Sequence, residues 1–248
     1  MVRLKKSLGQ HLLLSKGVLL RIAQSLEIKE GDRVIEIGGG TGNLTRILLT
    51  FPLTKLTVIE KDPRMVHILS TIEDERLEVI EGDATEVDLS YFGNGIKVTG
   101  NLPYNVGSLI LEMVVRAYER VDRAVFTLQK EVCERVLFRK EKSRLGAFVS
   151  TYFDVSYVTS VPARFFKPPP RVSSGVLLLT KKHAEGVLPP PHKYSSFLQK
   201  LFLHKRKTIG KKFSVSVLEE AGVAPKKRAE ELSLEEILKL YNVIEGKG

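Results

Sequence analysis

Arg33-Val34-Ile35-Glu36-Ile37-Gly38-Gly39-Gly40-Thr41-Gly42-Asn43-Leu44-Thr45 decides the fold. Its first five residues predict a short strand. A run of glycines follows, then an amphipathic helix that stops before Pro52. Strand, glycine loop, helix is a nucleotide-binding layout. Glycines let the backbone approach a ligand closely, and a helix N-terminus offers N–H groups with no partner in the helix. The glycines stand as Gly38-x-Gly40-x-Gly42, with Asn43 where the dinucleotide fingerprint needs its third glycine. That disfavours a nicotinamide oxidoreductase. Taken alone, the spacing also fits any tight strand–helix turn.

Working outward, acidic and amide residues recur where strands end. Lys55 to Glu60 reads as the second strand, and Glu60 lies about 20 residues beyond the glycine loop, where an acid binds ribose hydroxyls in this architecture. An exposed carboxylate beside Lys61 is the bland alternative. Asp62 reads as the cap of a helix from Pro63 to Glu73, with Pro63 at its first position. The third strand, Leu77 to Ile80, leads to Asp83, whose carboxylate can accept a hydrogen bond from the exocyclic amine of adenine. The fourth, Ile96 to Gly100, runs into Asn101-Leu102-Pro103-Tyr104. Pro103 stiffens the turn and keeps its predecessor extended. A planar amide and an aromatic face then sit together at a strand's C-terminal end, where open α/β sheets bind ligands. The pair suits gripping the edge and face of a flipped-out base. A strand-end turn with a capping Asn and a packing Tyr is the other reading.

The remaining segments complete an α/β pattern. Ser15 to Ile28 is expected to be helical with Ser15 as N-cap. So is Ser108 to Tyr118, with Leu109, Met113 and Val114 facing inward. Arg123 to Leu128 reads as a strand, Glu131 to Lys142 and Arg144 to Tyr152 as helices, and Val155 to Val161 and Gly175 to Thr180 as strands. Between the last two lies Phe165-Phe166-Lys167-Pro168-Pro169-Pro170-Arg171-Val172. It is either a stiff loop that stacks and steers a nucleotide with its aromatic rings and cations, or a rigid connector with buried phenylalanines. His183 to Pro191 reads as a linker. Beyond it only helical patterns remain, and Ser233-Leu234-Glu235-Glu236 opens the last helix with a capping box. The expected division is an α/β domain over residues 1–182 and a small helical domain over residues 183–248.

Composition narrows the function. The chain has 248 residues, 43% of them hydrophobic, enough for a sizeable core. No apolar run reaches the roughly 18 residues that cross a membrane. The basic, leucine-rich start is interrupted by Lys16 and lacks a small-residue cleavage site, so it reads as mature protein. The single cysteine, Cys133, excludes an internal disulfide. The five histidines show no paired ligand spacing, so no metal is expected, and a cytoplasmic location is the default. The net charge of +10 points to a polyanionic partner. Two acid-free runs carry much of it: Arg3, Lys5, Lys6, Lys16 and Arg21 near the start, and Lys193, Lys200, Lys205, Arg206, Lys207, Lys211 and Lys212 in the helical tail.

In this order the motifs are familiar. From Ser7-Leu8-Gly9-Gln10-His11-Leu12-Leu13, through Asn101-Leu102-Pro103-Tyr104 and Phe166-x-Pro168-x-Pro170-x-Val172-x-Ser174, to Phe202-x-x-Lys205-Arg206-Lys207-Thr208, the chain resembles the small-subunit (16S) ribosomal RNA adenine dimethyltransferases. These are the kasugamycin-resistance enzymes. The resemblance covers essentially the whole chain. It implies a Rossmann-like class I methyltransferase fold with a seven-stranded, mostly parallel sheet and an all-helical C-terminal domain. It also implies S-adenosyl-L-methionine as methyl donor, with S-adenosyl-L-homocysteine as product, and N6,N6-dimethylation of two adjacent adenosines. His11 and Leu13 match positions that close over the cofactor. Gly38, with Gly40 in the same loop, matches the glycine beside its methionine part, Glu60 the ribose ligand and Asp83 the group near the adenine amine. Asn101 matches both a cofactor contact and the target-amine contact. Within the target-base motif, Leu102 or Pro103 would offer a backbone carbonyl to that amine and Tyr104 a stacking face. Phe166, Lys205, Arg206, Lys207, Lys211 and Lys212 are the expected RNA contacts. The partner would be small-subunit rRNA, in the small ribosomal subunit or its precursor. The sequence departs from the family at His11, where asparagine is usual, and at Gly39, where proline is usual and where glycine would loosen the loop. A DNA adenine methyltransferase, a large-subunit rRNA methyltransferase and a mainly non-catalytic ribosome-assembly factor are the rivals.

Overall fold

The computed structural model describes residues 10–138, 142–183, 187–204 and 206–246. In chain order the strands are β1 (Leu12–Leu13), β2 (Arg33–Ile37), β3 (Lys55–Glu60), β4 (Leu77–Glu81), β5 (Ile96–Asn101), β6 (Val121–Gln129), β7 (Phe153–Val161), β8 (Phe166–Lys167) and β9 (Ser174–Lys181). The helices are α1 (Lys16–Ser25), α2 (Asn43–Leu48), α3 (Pro63–Leu69), α4 (Gly107–Arg116), α5 (Lys130–Val136), α6 (Arg144–Tyr152), α7 (Pro191–Phe202), α8 (Val215–Ala221) and α9 (Leu234–Glu245).

Seven strands form one sheet in the order β4-β3-β2-β5-β6-β9-β7. The pairings from β4 to β6 are parallel and β6–β9 is antiparallel. This is the expected seven-stranded, mostly parallel sheet. The chain builds outward from β2 in one direction, then returns to place β5 on the other side of β2. The crevice at such a reversal is where α/β sheets bind ligands. The inner strands are buried on both faces, as their uninterrupted apolar runs require: β3 is buried along its whole length except Lys55. α1 and α2 cover one face through Leu19, Ile22, Leu44 and Leu48. Asp62 caps α3 as expected, its side chain accepting from the Arg64 N–H, with Pro63 at the first position.

Contacts divide the chain into two units, residues 1–133 with 154–181, and residues 134–153 with 182–248. The sequence reading places the boundary near residue 182. The contact division cuts the chain after Lys181 and also gives residues 134–153, with α6, to the second unit. The reason is aromatic. Phe148 and Tyr152 of α6 pack on Tyr194 of α7, and Tyr194 also meets Phe197 and Tyr241. Tyr194 is fully buried, its hydroxyl accepts from Thr151 at 3.1 Å, and burial pushes its phenol up to about 12. The last helix starts with the expected capping box, Ser233 and Glu236 each accepting the other's backbone N–H.

One helix face differs from expectation. Leu109 is exposed and Met113 only half-buried, while α4 buries Ile110, Leu111 and Val115 beside the expected Val114. Gly39 also differs. A Cβ there would stand 2.5 Å from Val58 Cγ1, so close packing against β3 occupies the place where a side chain would go. That argues against a merely loosened loop.

Candidate active site

Gly38, Glu60, Asp83 and Asn101 lie at or just past the C-terminal ends of β2, β3, β4 and β5. They line one cavity of about 230 Å³ with Gly40, His11, Leu102, Pro103, Tyr104 and Phe166. Parallel pairing aligns these strands, so residues far apart in sequence converge wherever their strands stop together.

Glu60 is buried and held by backbone. One carboxylate oxygen accepts the Gly40 N–H at 2.9 Å and the other the Asp62 N–H at 2.8 Å. A carboxylate has about four acceptor positions, so two remain. Asp62 proves to be more than a helix cap. Its buried side chain accepts from Gln10 Nε2 at 2.9 Å and from the Arg64 guanidinium at 2.5 Å, and that guanidinium holds its carboxyl well below the usual range. It thereby links the segment before β1 to the tip of β3.

Asp83 receives Lys61 Nζ at 2.5 Å on one oxygen, and the Thr85 N–H and hydroxyl at 2.9 and 2.7 Å on the other. The Lys61 bond, with those from Thr85, pulls its pKa down to about 2. Asp83 is therefore an ionised pure acceptor at any ordinary pH.

Asn101 donates its Nδ2 to the His11 carbonyl at 2.7 Å. A carbonyl can only accept, so this bond sets which way round the amide sits and leaves Oδ1 as the free acceptor. His11 is held in turn by two-stranded pairing of β1 with β8, Leu12 opposite Lys167 and Leu13 opposite Phe166. Its Nδ1 donates to the Pro168 carbonyl at 2.8 Å, and its ring stacks on Tyr104 with centroids 5.4 Å apart and planes 29° apart. The Tyr104 hydroxyl shares a 2.7 Å hydrogen bond with Ser174, which is fully buried. Burial pushes the Tyr104 phenol upward and the Ser174 bond offsets part of that, so it stays protonated.

Three expectations need correcting. The Leu13 side chain turns into the core beside Val18 and Leu19 and does not line the cavity. Its carbonyl accepts from Asn43 Nδ2 at 3.0 Å, while Leu12 takes the place at the wall. Alternation along the short strand sends neighbours to opposite sides. Phe166 is a buried cavity wall, which matches the buried-phenylalanine reading of the proline-rich segment and puts its ring in the cavity rather than with the RNA contacts expected of the basic tail. Lys212 is half-buried and donates to the Leu201 carbonyl at 2.6 Å, and burial lowers its pKa. It therefore finishes α7 and does not reach freely into solvent. Arg206, Lys207 and Lys211 are exposed in the second unit, and Lys205 lies outside the described residues. Lys61 and Ser174 are site residues that sequence reasoning passed over. Lys61 had a signal, since it follows Glu60 directly. Ser174 closes a quoted motif but carried no chemistry of its own. Among the described residues no acid, histidine or cysteine cluster could hold a metal, and no described helix is long and apolar enough to cross a membrane.

A family model described as ribosomal RNA adenine dimethylase matches residues 1–246. The chain is 41% identical to ribosomal RNA small subunit methyltransferase A of Persephonella marina, over 97% of this chain and 93% of that one. It is 39% identical to the protein of the same name from Hydrogenobaculum, over 98% and 94%. A dimethyladenosine transferase from Plasmodium falciparum superposes with a TM-score of 0.80 at 28% identity, covering 96% of this chain and 98% of that one. The 23S rRNA methyltransferase ErmE shares the fold with a TM-score of 0.74 at 24% identity, covering 94% and 99%. The chain therefore belongs to the ribosomal RNA adenine dimethylase family and is a methyltransferase.

Proposed function

We propose that this protein transfers methyl groups from S-adenosyl-L-methionine to the N6 of two adjacent adenosines in a loop near the 3′ end of small-subunit rRNA. It would do so in the cytoplasm, during ribosome biogenesis. The observation that carries this reading is the Asn101 amide. Its donor side is tied to the His11 carbonyl, so its oxygen is the acceptor in a cavity shared with Glu60 and Asp83.

The residues present fit the donor. Glu60 keeps two acceptor positions for ribose hydroxyls, and ionised Asp83 accepts from an adenine amine. Ile37, Ile59 and Ile110 supply apolar wall. Gly38 has φ +74°, and nothing stands within 4 Å of where its Cβ would be, so the backbone there lies open to a ligand. When bound, the cofactor supplies a methyl group already activated by its sulfonium.

The chain's own task is to prepare the nucleophile. The N6 lone pair of adenine is delocalised into the ring. Asn101 Oδ1 and one backbone carbonyl would accept the two N6 hydrogens and favour a tetrahedral amine with its lone pair exposed. The Pro103 carbonyl already accepts the Val106 N–H at 3.1 Å, which favours the Leu102 carbonyl as second acceptor. Tyr104 stacks on the flipped base, an interaction worth about 1–3 kcal/mol, against a flipping cost of a few kcal/mol. Orientation and fixed dipoles supply the acceleration, with no strong general base required. The small-subunit substrate rests on the names of the 39–41% identical relatives. The intact set of Glu60, Asp83, Asn101 and Tyr104 favours a catalyst over a non-catalytic assembly factor.

Asn101→Ala tests the reading. At saturating cofactor it is expected to lower turnover about 100-fold or more, the scale for a lost transition-state hydrogen bond. RNA affinity, supplied mostly by phosphate contacts, is expected to survive. Near-normal turnover would remove Asn101 from the chemistry.

A further inference from the structure

Tyr104 lines the cavity with Asn101 as a half-buried aromatic ring, and a tyrosine side chain has two torsions to order before a base can stack on it. Two residues restrain them. The His11 imidazole lies against the ring at 5.4 Å, nearly parallel. It is itself fixed by its Nδ1–H bond to the Pro168 carbonyl and by the β1–β8 pairing that follows it. At the far end the phenol hydroxyl bonds Ser174, which begins β9 and is wholly buried. A partner that immobile holds the hydroxyl in one place. Ring face and ring tip are therefore held by His11 and Ser174, two residues far apart in the chain, with His11 anchored on residues 166–168, the stretch that leads to Ser174.

We propose that His11 and Ser174 are positioning residues that clamp Tyr104, the imidazole covering one face of the ring and the serine holding its tip, so that the other face is presented ready-made to the target adenine. The proposal rests on the reading of Tyr104 as the residue that stacks on the base. It assigns the His11 ring to the substrate side of the reaction, in addition to the cofactor closure its position implies. The incoming base then meets a preorganised surface, and less ordering is deducted from its binding. Offset-stacked pairs contribute beyond their buried area, and His11–Tyr104–adenine forms a continuous three-ring stack.

The test uses the full-length protein and an RNA hairpin bearing 2-aminopurine, a fluorescent adenine analogue quenched by stacking, at the target position. Bound to wild type its emission is expected to be quenched, and bound to Tyr104→Ala it is expected to be bright. His11→Ala and Ser174→Ala are expected to fall between, and on unmodified RNA at saturating cofactor to lower kcat about two- to tenfold; Ser174, which does not line the cavity, is expected to keep the KM for cofactor in its alanine variant. His11→Phe restores a ring without the imidazole hydrogen bond and is expected to recover most of the quenching. Should Ser174→Ala fail to fold, Tyr104→Phe removes the same hydrogen bond from the other end. If Tyr104→Ala quenches like wild type, the base does not stack there, and the base-site reading and the clamp fail together. If Tyr104→Ala is bright while His11→Ala and Ser174→Ala match wild type, the clamp alone fails. If His11→Ala quenches more strongly and turns over faster, the imidazole occupies the base's own place and the proposal is reversed.

Discussion

Glu36 and Glu60 show how one residue type takes two roles from its surroundings. Glu60 ends β3 and is held by backbone N–H groups as an acceptor. Glu36 lies within β2, fully buried, and its carboxylate accepts only a 2.6 Å bond from the Thr45 hydroxyl among the described contacts. Burial pushes its pKa up to about 7, the Thr45 bond opposes that, and the Glu60 charge adds to it. Between the ordinary carboxylate value of 4.5 and about 7, the folded protein holds a proton that the unfolded chain has released. Stability therefore falls as pH rises through that window, by up to about 3 kcal/mol for a fully buried group. Glu36→Gln is expected to flatten the dependence, measured as denaturant midpoints at pH 5 and pH 8. An unchanged slope would show that Glu36 is ionised throughout. At this scale the sequence revealed Glu60, Asp83 and Asn101, because each stands where a strand stops. Lys61 could be placed beside Glu60, but its pairing with Asp83, and that of Ser174 with Tyr104, stayed hidden because these partners lie 22 and 70 residues apart, a separation no local pattern encodes. Leu13 was legible as a position but not as a direction.

Among elements, the long buried strands were legible to within a residue or two, since apolar runs bounded by turns leave little choice. The two-residue β1 and β8 were not, because so short a ladder has no periodicity. Yet that ladder fixes His11. The phase of α4 also escaped sequence reading. Leu109, Ile110, Leu111, Met113, Val114 and Val115 place apolar residues nearly all round the helix, so its buried side is set by what it packs against. The structure exposes Leu109 and buries Ile110 completely. Ile110→Ala is expected to cost about 2–5 kcal/mol in chemical denaturation, and Leu109→Ala no more than about 0.5 kcal/mol. Equal losses would mean that the helix is turned as the sequence first suggested.

For the whole molecule, the charge distribution is the feature that sequence reads best and least specifically. A net charge of +10 announces a polyanion, but which cations meet it depends on which are free. Lys212 is not, because its ammonium finishes α7. Arg206, Lys207 and Lys211 are exposed in the same unit and are the better candidates for phosphate contacts, which position RNA without reading its sequence. Replacing these three with alanine is expected to weaken RNA binding and flatten its salt dependence, each lost contact lowering the log–log slope by roughly 0.7 on single-stranded RNA. Lys212→Ala is expected to leave that slope alone and to destabilise the protein by about 0.5–1.5 kcal/mol through its lost hydrogen bond. Cofactor affinity should hold in both variants, because every described residue lining the cavity belongs to the other unit. Filter-binding titrations over a range of salt, with calorimetry for the cofactor, separate the outcomes. A wild-type slope in the triple variant would move the RNA-docking surface away from the tail, most directly to the basic run that begins the chain.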